Sequence, residues 1–443
     1  MIGLKKRKIS PLIIIVLSFL GIIIVGMFLF KLPFSAAEGH TISWVDALFT
    51  STSAVCVTGL STIPNVSETL STFGEILLAV LIQIGGLGII TIAIYVLMLL
   101  GIKIGITERY VIKEALNQPT MSGMVRLVRK IVLTTLTIEA FGLIINMIVF
   151  APDMPFFEAL GLSAFHSISA FNNAGFDLFG ASSMQAYSDN LLLNINTMVQ
   201  IIIGGIGFIV IEDVLTKKRW KTLTLYSKVV IKTSIFLIIF GTIIIKLFAY
   251  SDITWLEAVF QSVTTRTAGF STVDMNLFSY TTLSVILVMM FIGASPNSTG
   301  GGIKTSTFYI AFKSTISYLR GKPTIIHKRK INDDNRTKAF TLIVLALVSV
   351  FVIFIAVSAI EQRNPNAEMP FMKVLFETIS AFGTVGLSMG VTSELMSASK
   401  ILLALLMFVG RLGPITLFGI TNTNWGRPHA STVTYATEKV LIG

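Results

Sequence analysis

The feature that most constrains this chain is a series of long apolar segments, each of the length needed to cross a lipid bilayer. A spanning helix needs about 20 predominantly apolar residues. Such segments occur at 12–30, 76–100, 132–150, 191–210, 229–250, 282–292 (with a continuation to about 312), 340–360 and 401–420. A charged fraction of 13% and a mean hydropathy of +0.81 leave too few polar residues to coat a soluble protein of 443 residues. The sequence therefore predicts an all-α polytopic membrane protein with eight transmembrane helices, the first of them retained rather than cleaved as a signal peptide.

Basic residues are concentrated in alternate connections between these segments. They are Lys5, Lys6, Arg7 and Lys8; Lys103, Arg109, Lys113, Arg126, Arg129 and Lys130; Lys217, Lys218, Arg219 and Lys221; and Lys313, Arg320, Lys322, Lys328, Arg329 and Lys330. The positive-inside rule makes that side cytoplasmic, so we expect a cell-membrane protein with both termini in the cytoplasm. The net charge of +11 is then explained by topology, and no nucleic-acid partner is expected.

A short motif occurs four times, each time between two apolar segments. Each copy runs from a Phe to a Gly, and a bulky apolar residue follows the Gly. The copies are 49–59, 165–175, 260–269 and 376–386, the third being one residue shorter. About eleven helix-compatible residues lead into each Gly, which are too few to cross a bilayer, so a re-entrant half-helix enclosed by protein is predicted. The chain then divides into repeats at 1–100, 101–218, 219–325 and 326–423, followed by a cytoplasmic C-terminal segment, 424–443.

The second apolar segment of the third repeat differs from its counterparts. The other three contain related glycine motifs, in residues 84–88, 203–207 and 409–413, and are predicted to continue as helix. Residues 293–305 contain four glycines and a proline, which give very poor helix propensity. We therefore predict that the third segment alone is broken.

The four Gly-containing loops have a composition suited to binding a dehydrated cation. Backbone carbonyls replace the hydration shell of an alkali cation without adding net charge, and Gly allows backbones to converge because it has no Cβ. The half-helices also direct the partial negative charge of their C-termini toward the loops. The predicted ion-coordinating residues are Val57, Thr58 and Gly59; Asn173, Ala174 and Gly175; Thr267, Ala268 and Gly269; and Thr384, Val385 and Gly386.

These loops, the stretch 264–274 (TTRTAGFSTVD) and the interrupted third-repeat segment resemble the Trk/Ktr/HKT superfamily of potassium transporters. The resemblance covers essentially the whole chain, and the length and start of the sequence are most similar to the membrane subunits of bacterial Ktr systems. It implies four M1–pore helix–M2 repeats around one central pore. It also implies K⁺ uptake, often with Na⁺ as a coupling or activating ion, and no organic cofactor in this chain. Some plant members favour Na⁺ and carry Ser at the first filter position; Gly59 therefore implies K⁺.

The resemblance also implies a gate below the filter, formed by the broken third M2. The residues it assigns to the gate are Gly293, Ala294, Ser295, Pro296, Asn297, Ser298, Thr299, Gly300, Gly301, Gly302, Lys304 and Arg411. Arg411 lies within the last span, where an unpaired charge costs at least about 2.5 kcal/mol. The residue either regulates ion passage or satisfies backbone carbonyls in the bundle. The glycines are expected to let the loop move aside.

The implied partners are a second copy of the chain, forming a homodimer with one pore in each protomer, and a cytosolic ring of RCK subunits that bind ATP or ADP. This chain has no GxGxxG motif after a strand, so nucleotide control would come from that other polypeptide. The basic stretches 103–130 and 313–338 are candidate docking surfaces, and positive-inside topology explains them equally well.

Several other residues have alternative interpretations. Arg266 is interpreted as a structural clamp rather than an ion site, Glu139 as a buried paired acid rather than a transport residue, and Cys56 as a packing residue. Residues 300–305 (GGGIKT) resemble a phosphate-binding loop, but Ile303 separates the glycines from Lys304, and no strand precedes them.

Two other function classes fit the sequence less well. An alternating-access transporter would bind its substrate between broken spanning helices at the midplane, whereas four tandem copies with short half-helices fit a fourfold pore better. An intramembrane enzyme needs paired carboxylates, a metal cluster or a Ser–His pair within the spans, and the sequence offers none of these. The chain is therefore predicted not to be an enzyme.

Overall fold

The computed structural model describes residues 10–116, 118, 120–249, 253–364 and 369–414. The described chain is predominantly helical. Its α-helices are α1 (Pro11–Phe30), α2 (Trp44–Cys56), α3 (Val66–Thr69), α4 (Thr72–Leu87), α5 (Ile89–Leu99), α6 (Ile106–Ala115), α7 (Met124–Phe150), α8 (Phe156–Phe171), α9 (Leu191–Ile206), α10 (Phe208–Lys217), α11 (Leu225–Ala249), α12 (Trp255–Thr264), α13 (Tyr280–Phe291), α14 (Thr305–Leu319), α15 (Asp333–Glu361), α16 (Phe371–Gly383) and α17 (Ser397–Leu412). A two-stranded antiparallel hairpin, β1 (Ile325–Ile326) and β2 (Arg329–Lys330), connects α14 to α15.

Four helices, α1, α7, α11 and α15, are long and apolar enough to cross a membrane, with 20, 27, 25 and 29 residues. At a rise of about 1.5 Å per residue each covers the hydrocarbon thickness of a bilayer. They present large apolar side chains outward: Phe141, Phe236 and Phe351 are 64%, 60% and 63% exposed. Exposed apolar surface on this scale is expected where lipid is the solvent. The protein is a multi-pass membrane protein.

Each long helix is followed by a shorter one: α2, α8, α12 and α16. The start of α12 is fixed by a capping box, in which Thr254 accepts from the amide of Glu257 and the Glu257 carboxylate accepts from the amide of Thr254. Ser43 accepts from the amide of Asp46 at the start of α2 in the same way. Most side chains of the C-terminal halves of these helices are buried. Their lengths agree with the half-helices predicted from the sequence.

The sequence predicted that the second apolar segment is broken in the third repeat alone. That prediction was wrong. The first divides into α4 and α5, which meet at Gly88 with a bend of 100°, and the second into α9 and α10, which meet at Gly207 with a bend of 97°. Helix α17 likewise ends before Gly413. All three glycines have positive φ, between 84° and 98°, which a side chain would oppose. The recurring GGxG and GRxG motifs therefore contain a helix breaker at their last position.

Interhelical packing follows a cyclic order. Helix α4 packs against α8, α9 against α12, α13 against α16, and α17 returns to pack against α2. Each second-segment helix thus contacts the short helix of the next unit along the chain, and the last contacts the first. A cyclic order of this kind encloses a common centre, where the C-terminal ends of the short helices meet.

The structure does not describe residues 1–9 or 415–443. The predicted basic N-terminal cluster, the end of the predicted span at 401–420 and the segment 424–443 therefore lie outside the described residues.

Candidate functional site

The four Gly-containing loops adopt the same backbone conformation although their sequences differ. The residue two positions before each loop glycine has a positive φ between 48° and 70°, and the glycine itself has a positive φ between 70° and 94°. These residue pairs are Val57 and Gly59, Asn173 and Gly175, Thr267 and Gly269, and Thr384 and Gly386. Positive φ is uncommon for non-glycine residues and especially for β-branched ones. The recurrence of this strain at four equivalent positions indicates a functional constraint.

A hydroxyl near the end of each short helix holds the loop that follows. Ser53 and Ser380 accept from the amides of Gly59 and Gly386, each at 3.1 Å. Ser169 and Thr264 instead donate to the carbonyl of the residue after the loop glycine, Ser169 to Phe176 at 2.6 Å and Thr264 to Phe270 at 2.7 Å. Sequence reasoning did not assign these hydroxyls a role. The signal was present in three loops as a shared Ser-Ala pair within the motif, at 53–54, 169–170 and 380–381.

The loop glycines meet at one centre in ring order. A Cβ on Gly59 would collide with the carbonyl oxygen of Ala174, and a Cβ on Gly175 with that of Ala268. The remaining two contacts continue the same order: Gly269 meets the carbonyl oxygen of Val385, and Gly386 meets that of Thr58. Each loop glycine therefore lies against the carbonyl that precedes the glycine of the next loop. All four triplets predicted from the sequence are brought together, and no side chain larger than hydrogen fits at their glycines.

The irregular segment between α13 and α14 lies directly against this ring. The Thr299 hydroxyl donates to Asn173 Oδ1 at 2.8 Å, and the amide of Gly301 donates to Thr384 Oγ1 at 2.9 Å. Gly300 packs so closely on Thr267 that a Cβ there would overlap the threonine hydroxyl. The segment thus contacts the second, third and fourth loops through side chains of their predicted ion-coordinating residues.

The same segment is fastened to the break between α9 and α10. The amides of Ser295 and Thr299 donate to the carbonyls of Gly205 and Gly204, at 3.0 and 3.3 Å. On the other side the carbonyl of Asn297 accepts from the amide of Phe208 at 2.9 Å. The Tyr226 hydroxyl donates to the carbonyl of Pro296 at 2.8 Å. Backbone groups left unpaired by the break between α9 and α10 therefore bond to those of the irregular segment, as buried backbone requires.

Internal bonds complete the segment. Ser298 donates to the carbonyl of Ser295 at 2.6 Å, and the Ser295 hydroxyl pairs with that of Thr305 at 3.0 Å. The amide of Thr305 donates to the carbonyl of Ala294 at 3.2 Å. Gly293 packs against the backbone of Gly301, so the two ends of the segment approach each other closely.

Two cations hold carbonyls of this segment. Lys304 Nζ donates to the carbonyl of Gly300 at 2.6 Å. Arg411 donates to the carbonyl of Thr299 through one nitrogen, and to the carbonyls of Gly85 and Gly86 at the end of α4 through the other. Arg411 therefore connects the irregular segment to the first bent helix pair. Neither basic side chain has an acidic partner within 4 Å among the residues described.

Cys56 and Arg266 directly precede two of the loop triplets, and Glu139 lies on α7. Arg266 is buried and donates to the carbonyl and hydroxyl of Ser234 on α11, at 3.3 and 3.2 Å. This is the contact expected of a clamp between a short helix and a long helix. Cys56 is fully buried in the main apolar core. Glu139 is buried and accepts from Gln83 and an asparagine amide rather than from a basic residue.

A further acid not singled out from the sequence organises the loop after Gly386. The buried Glu377 carboxylate accepts from the Ser388 hydroxyl, from the amide of Met389 at 3.2 Å and from the Thr392 hydroxyl at 2.9 Å. Within the described part of the chain no group of three His, Cys, Asp or Glu side chains is arranged to hold a metal ion.

Four converging carbonyl-lined loops inside an apolar helical bundle define a class of protein: a membrane protein that conducts or transports small cations. Comparison with known families agrees, since residues 29–421 match the TrkH family model, described as a cation transport protein. The chain belongs to this family, whose members are cation transporters rather than enzymes.

Individual relatives match over nearly their whole length. The Ktr system potassium uptake protein B of Bacillus subtilis is 37% identical, with 99% of this chain and 98% of that protein covered. The potassium/sodium uptake protein NtpJ of Enterococcus hirae is 35% identical, with 99% and 98% covered. Among solved structures, the crystal structure of the potassium transporter TrkH from Vibrio parahaemolyticus matches with a TM-score of 0.74. It is 20% identical, and the match covers 96% of this chain and 87% of that one, so it supports the fold.

Proposed function

We propose that this protein takes up K⁺ across the cell membrane as the pore-forming subunit of a Ktr-type system. The observation that carries the proposal is the ring of four loop glycines with one shared backbone conformation. A relative named for potassium uptake at 37% identity and one named for potassium/sodium uptake at 35% support the choice of ion. The architecture proposed is four M1–pore helix–M2 repeats around one pore, with the repeat boundaries predicted from the sequence.

In this proposal the three-residue strands ending at Gly59, Gly175, Gly269 and Gly386 form the selectivity filter. Alternation of positive and negative φ along each strand turns successive carbonyls toward the same side, where they replace the hydration shell of K⁺. The C-termini of α2, α8, α12 and α16 add partial negative charge at the same centre. Each loop supplies a short set of carbonyls, so we expect looser discrimination between K⁺ and Na⁺ than in a K⁺ channel with the longer TVGYG filter.

The segment 293–304 is proposed to be the gate. It lies against three of the four filter strands and has two cationic side chains on its carbonyls, Lys304 and Arg411. In this position it would obstruct the path below the filter and add a positive barrier to cations. Opening would require the loss of its bonds to Gly204 and Gly205, and of the Arg411 contact.

The remaining parts of the proposal concern partners and coupling. Both termini are placed in the cytoplasm by the positive-inside rule. A homodimer, an RCK ring that binds ATP or ADP at the cytoplasmic face, and Na⁺-dependent uptake or symport complete the system. Helix α6 and the β1–β2 hairpin lie within the two basic stretches that are candidate docking surfaces for the ring.

The test is complementation of a bacterial strain that lacks K⁺ uptake, grown at low external K⁺, with and without a cosynthesised cytosolic RCK subunit. We expect growth and Rb⁺ uptake that increase when the partner is present. Membrane insertion is checked by surface labelling of an introduced extracellular cysteine. A correctly inserted chain that supports no uptake in either case would contradict the proposal.

A further inference from the structure

One buried carboxylate ties the end of α10 to the start of α11. Asp213 on α10 is 8% exposed, and its Oδ1 pairs with Lys217 Nζ at 2.7 Å. Its Oδ2 accepts from the amide and the hydroxyl of Thr224, each at 2.9 Å, and from the Ser227 hydroxyl at 2.6 Å. Hydrogen bonds to an ionised acceptor are the stronger kind, and the helix dipole favours a carboxylate at a helix N-terminus. The position of the first turn of α11 is therefore set by α10.

The first turn of α11 also reaches the irregular segment. Tyr226, in that turn, donates from its hydroxyl to the carbonyl of Pro296 at 2.8 Å. The amide of Phe208, the first residue of α10, donates to the next carbonyl along the segment, that of Asn297, at 2.9 Å. Two consecutive carbonyls of the segment are therefore held by the two helices that Asp213 joins.

The backbone of the segment is strained at the point where these two bonds hold it. Asn297 has a positive φ of 57°, which is uncommon for a residue other than glycine. Strain of this kind persists only where surrounding contacts impose it. Thr299, two residues further on, donates to Asn173 of the second loop at 2.8 Å. Release of the carbonyls of Pro296 and Asn297 would let the backbone relax and would move Thr299 away from that loop.

We propose that Tyr226 is a positioning residue that holds the segment 293–304 against the ring of loops, and that Asp213 controls this hold by fixing the start of α11. The proposal rests on the proposed function, in which this segment is the gate. A tyrosine hydroxyl has a single hydrogen to donate, so the bond from Tyr226 to Pro296 is either made or lost. The closed gate has the bond, and the open gate lacks it.

The connection between α10 and α11, residues 218–224, is the part of this corner that a molecule in the cytoplasm would contact. The proposed topology places it on the cytoplasmic side. It contains three basic residues and Trp220, which is 44% exposed. A displacement of this connection would separate Asp213 from the start of α11, and Tyr226 would pass the movement on to the segment.

The first experiment measures Rb⁺ flux into proteoliposomes that contain the full-length protein without a cytosolic partner. Tyr226→Phe removes only the hydroxyl. We expect its flux to exceed that of the wild type about two- to tenfold, the factor by which the loss of one hydrogen bond shifts an equilibrium. Tyr318→Phe, at an exposed tyrosine of α14, is the matched control and should leave the flux unchanged. A flux in Tyr226→Phe equal to that of the wild type overturns the proposal.

The second experiment tests whether Asp213 acts through Tyr226. Asp213→Ala should also raise the flux, whereas Glu212→Ala, at the neighbouring acid that pairs with Lys130 of α7, should not. The double variant Asp213→Ala/Tyr226→Phe should conduct no faster than the more active single variant, because both changes break one chain of contacts. Effects that multiply in the double variant overturn the control by Asp213. If Asp213→Ala does not fold, Ser227→Ala, which removes one of its bonds, replaces it in the same comparison.

The third measurement does not depend on transport. Hydrogen–deuterium exchange of the peptide that covers residues 293–304, in the detergent-purified protein, reports how firmly the segment is held. We expect faster exchange in Tyr226→Phe than in the wild type and Tyr318→Phe, and equal exchange in all three overturns the hold. Absence of Rb⁺ uptake by the wild type in the complementing strain contradicts the proposed function instead. The exchange measurement then still decides whether Tyr226 holds the segment.

Discussion

The four loops proposed as the filter and the irregular segment that lies against them both contain glycine and are buried and non-helical, yet they are built on opposite principles. The four loops repeat one backbone conformation with four different sequences. The segment 293–304 occurs once, and bonds between it and α9, α10, Asn173, Thr384 and Arg411 hold it in place. Coordination of one ion at a central axis needs equivalent contributions from all sides, whereas obstruction of a path needs a contribution from only one side.

This comparison also changes the meaning of the broken helix. Breaks at Gly88 and Gly207 show that interruption is not confined to the third of the second helices. What sets the third apart is the length of irregular chain between α13 and α14. In the first two a single glycine turns the helix, while in the third a whole loop turns inward to the ring.

The largest effect is expected from substitution of a filter glycine. Gly269→Ala places a Cβ against the carbonyl of Val385 at a φ of 81°, a conformation that costs a non-glycine residue about 1–3 kcal/mol. Because the clash would lie on the proposed ion path, we expect near-complete loss of Rb⁺ uptake. Gly161→Ala, in α8 with open space at its Cα, is the matched control and should transport normally. Normal uptake by Gly269→Ala would break the assignment of the ring as the filter.

A large effect of opposite sign is expected at the gate. Arg411→Ala removes charge-assisted bonds to the carbonyls of Thr299, Gly85 and Gly86, each worth about 1.5–3 kcal/mol. We expect the variant to conduct without its cytosolic partner, with Rb⁺ flux into proteoliposomes raised roughly tenfold or more, as that loss of free energy would give. Lysine cannot span two carbonyl groups as a guanidinium does, so Arg411→Lys should give an intermediate flux. An unchanged flux in Arg411→Ala would limit the arginine to a structural role.

A moderate effect should distinguish the loop anchors. Ser380→Ala removes the acceptor for the amide of Gly386, and a lost hydrogen bond costs about 1 kcal/mol. We expect uptake to persist but Na⁺ to compete better with Rb⁺, because the loop holds its carbonyls less firmly. Ser163→Ala on α8, whose hydroxyl has no hydrogen-bond partner among the residues that the structure describes, is the control and should leave competition unchanged. Equal selectivity in both variants would show that the loop holds its shape without the hydroxyl.

The smallest effect is expected from external pH. Asp177, two residues after Gly175, accepts from the Ser183 hydroxyl at 2.6 Å and from the amide of Phe179 at 3.2 Å. Burial raises the pKa of this carboxyl from 3.8 to about 6, against the opposing effect of those bonds. The carboxyl is therefore ionised above pH 6 and neutral well below it. Its burial is unfavourable only once it ionises, so the loop loses stability as pH rises through the interval from 3.8 to 6.

For transport the expected sign is the reverse, because an ionised carboxylate beside the second loop would attract cations to the side of the ring that the proposed topology places outside. We expect the apparent KM for Rb⁺ to rise as external pH falls from 7.5 to 5. In Asp177→Asn the KM should not depend on pH and should stay at the high value that the wild type shows at acid pH. Rb⁺ uptake kinetics at several external pH values provide the measurement. A wild-type KM that does not change with pH would exclude Asp177 from cation attraction.

Much of the helical plan was accessible from the sequence. The predicted span 12–30 corresponds to Pro11–Phe30 and 340–360 to Asp333–Glu361, because long apolar runs in lipid permit only a helix with internally satisfied backbone. The glycines that converge in the structure could be located because the Phe-to-Gly motif was repeated, and their role as a filter stays a prediction. The breaks at Gly88 and Gly207 were not predicted, since a glycine within an apolar run is compatible with a continuous helix, and only packing against neighbouring elements selects positive φ.

The sequence by itself determined membrane residence and the long helices α1, α7, α11 and α15, because these depend on local apolar length, and it marked the four glycines by a repeated motif. Tertiary structure alone decided which carbonyl each glycine meets, which hydroxyls hold the loops and what Arg411, Lys304 and Glu139 contact. Those contacts join residues far apart in the chain, such as Arg411 to Gly85 and Gly301 to Thr384. They exist only once the helices have packed in cyclic order, since no local rule specifies which buried donor will face which acceptor.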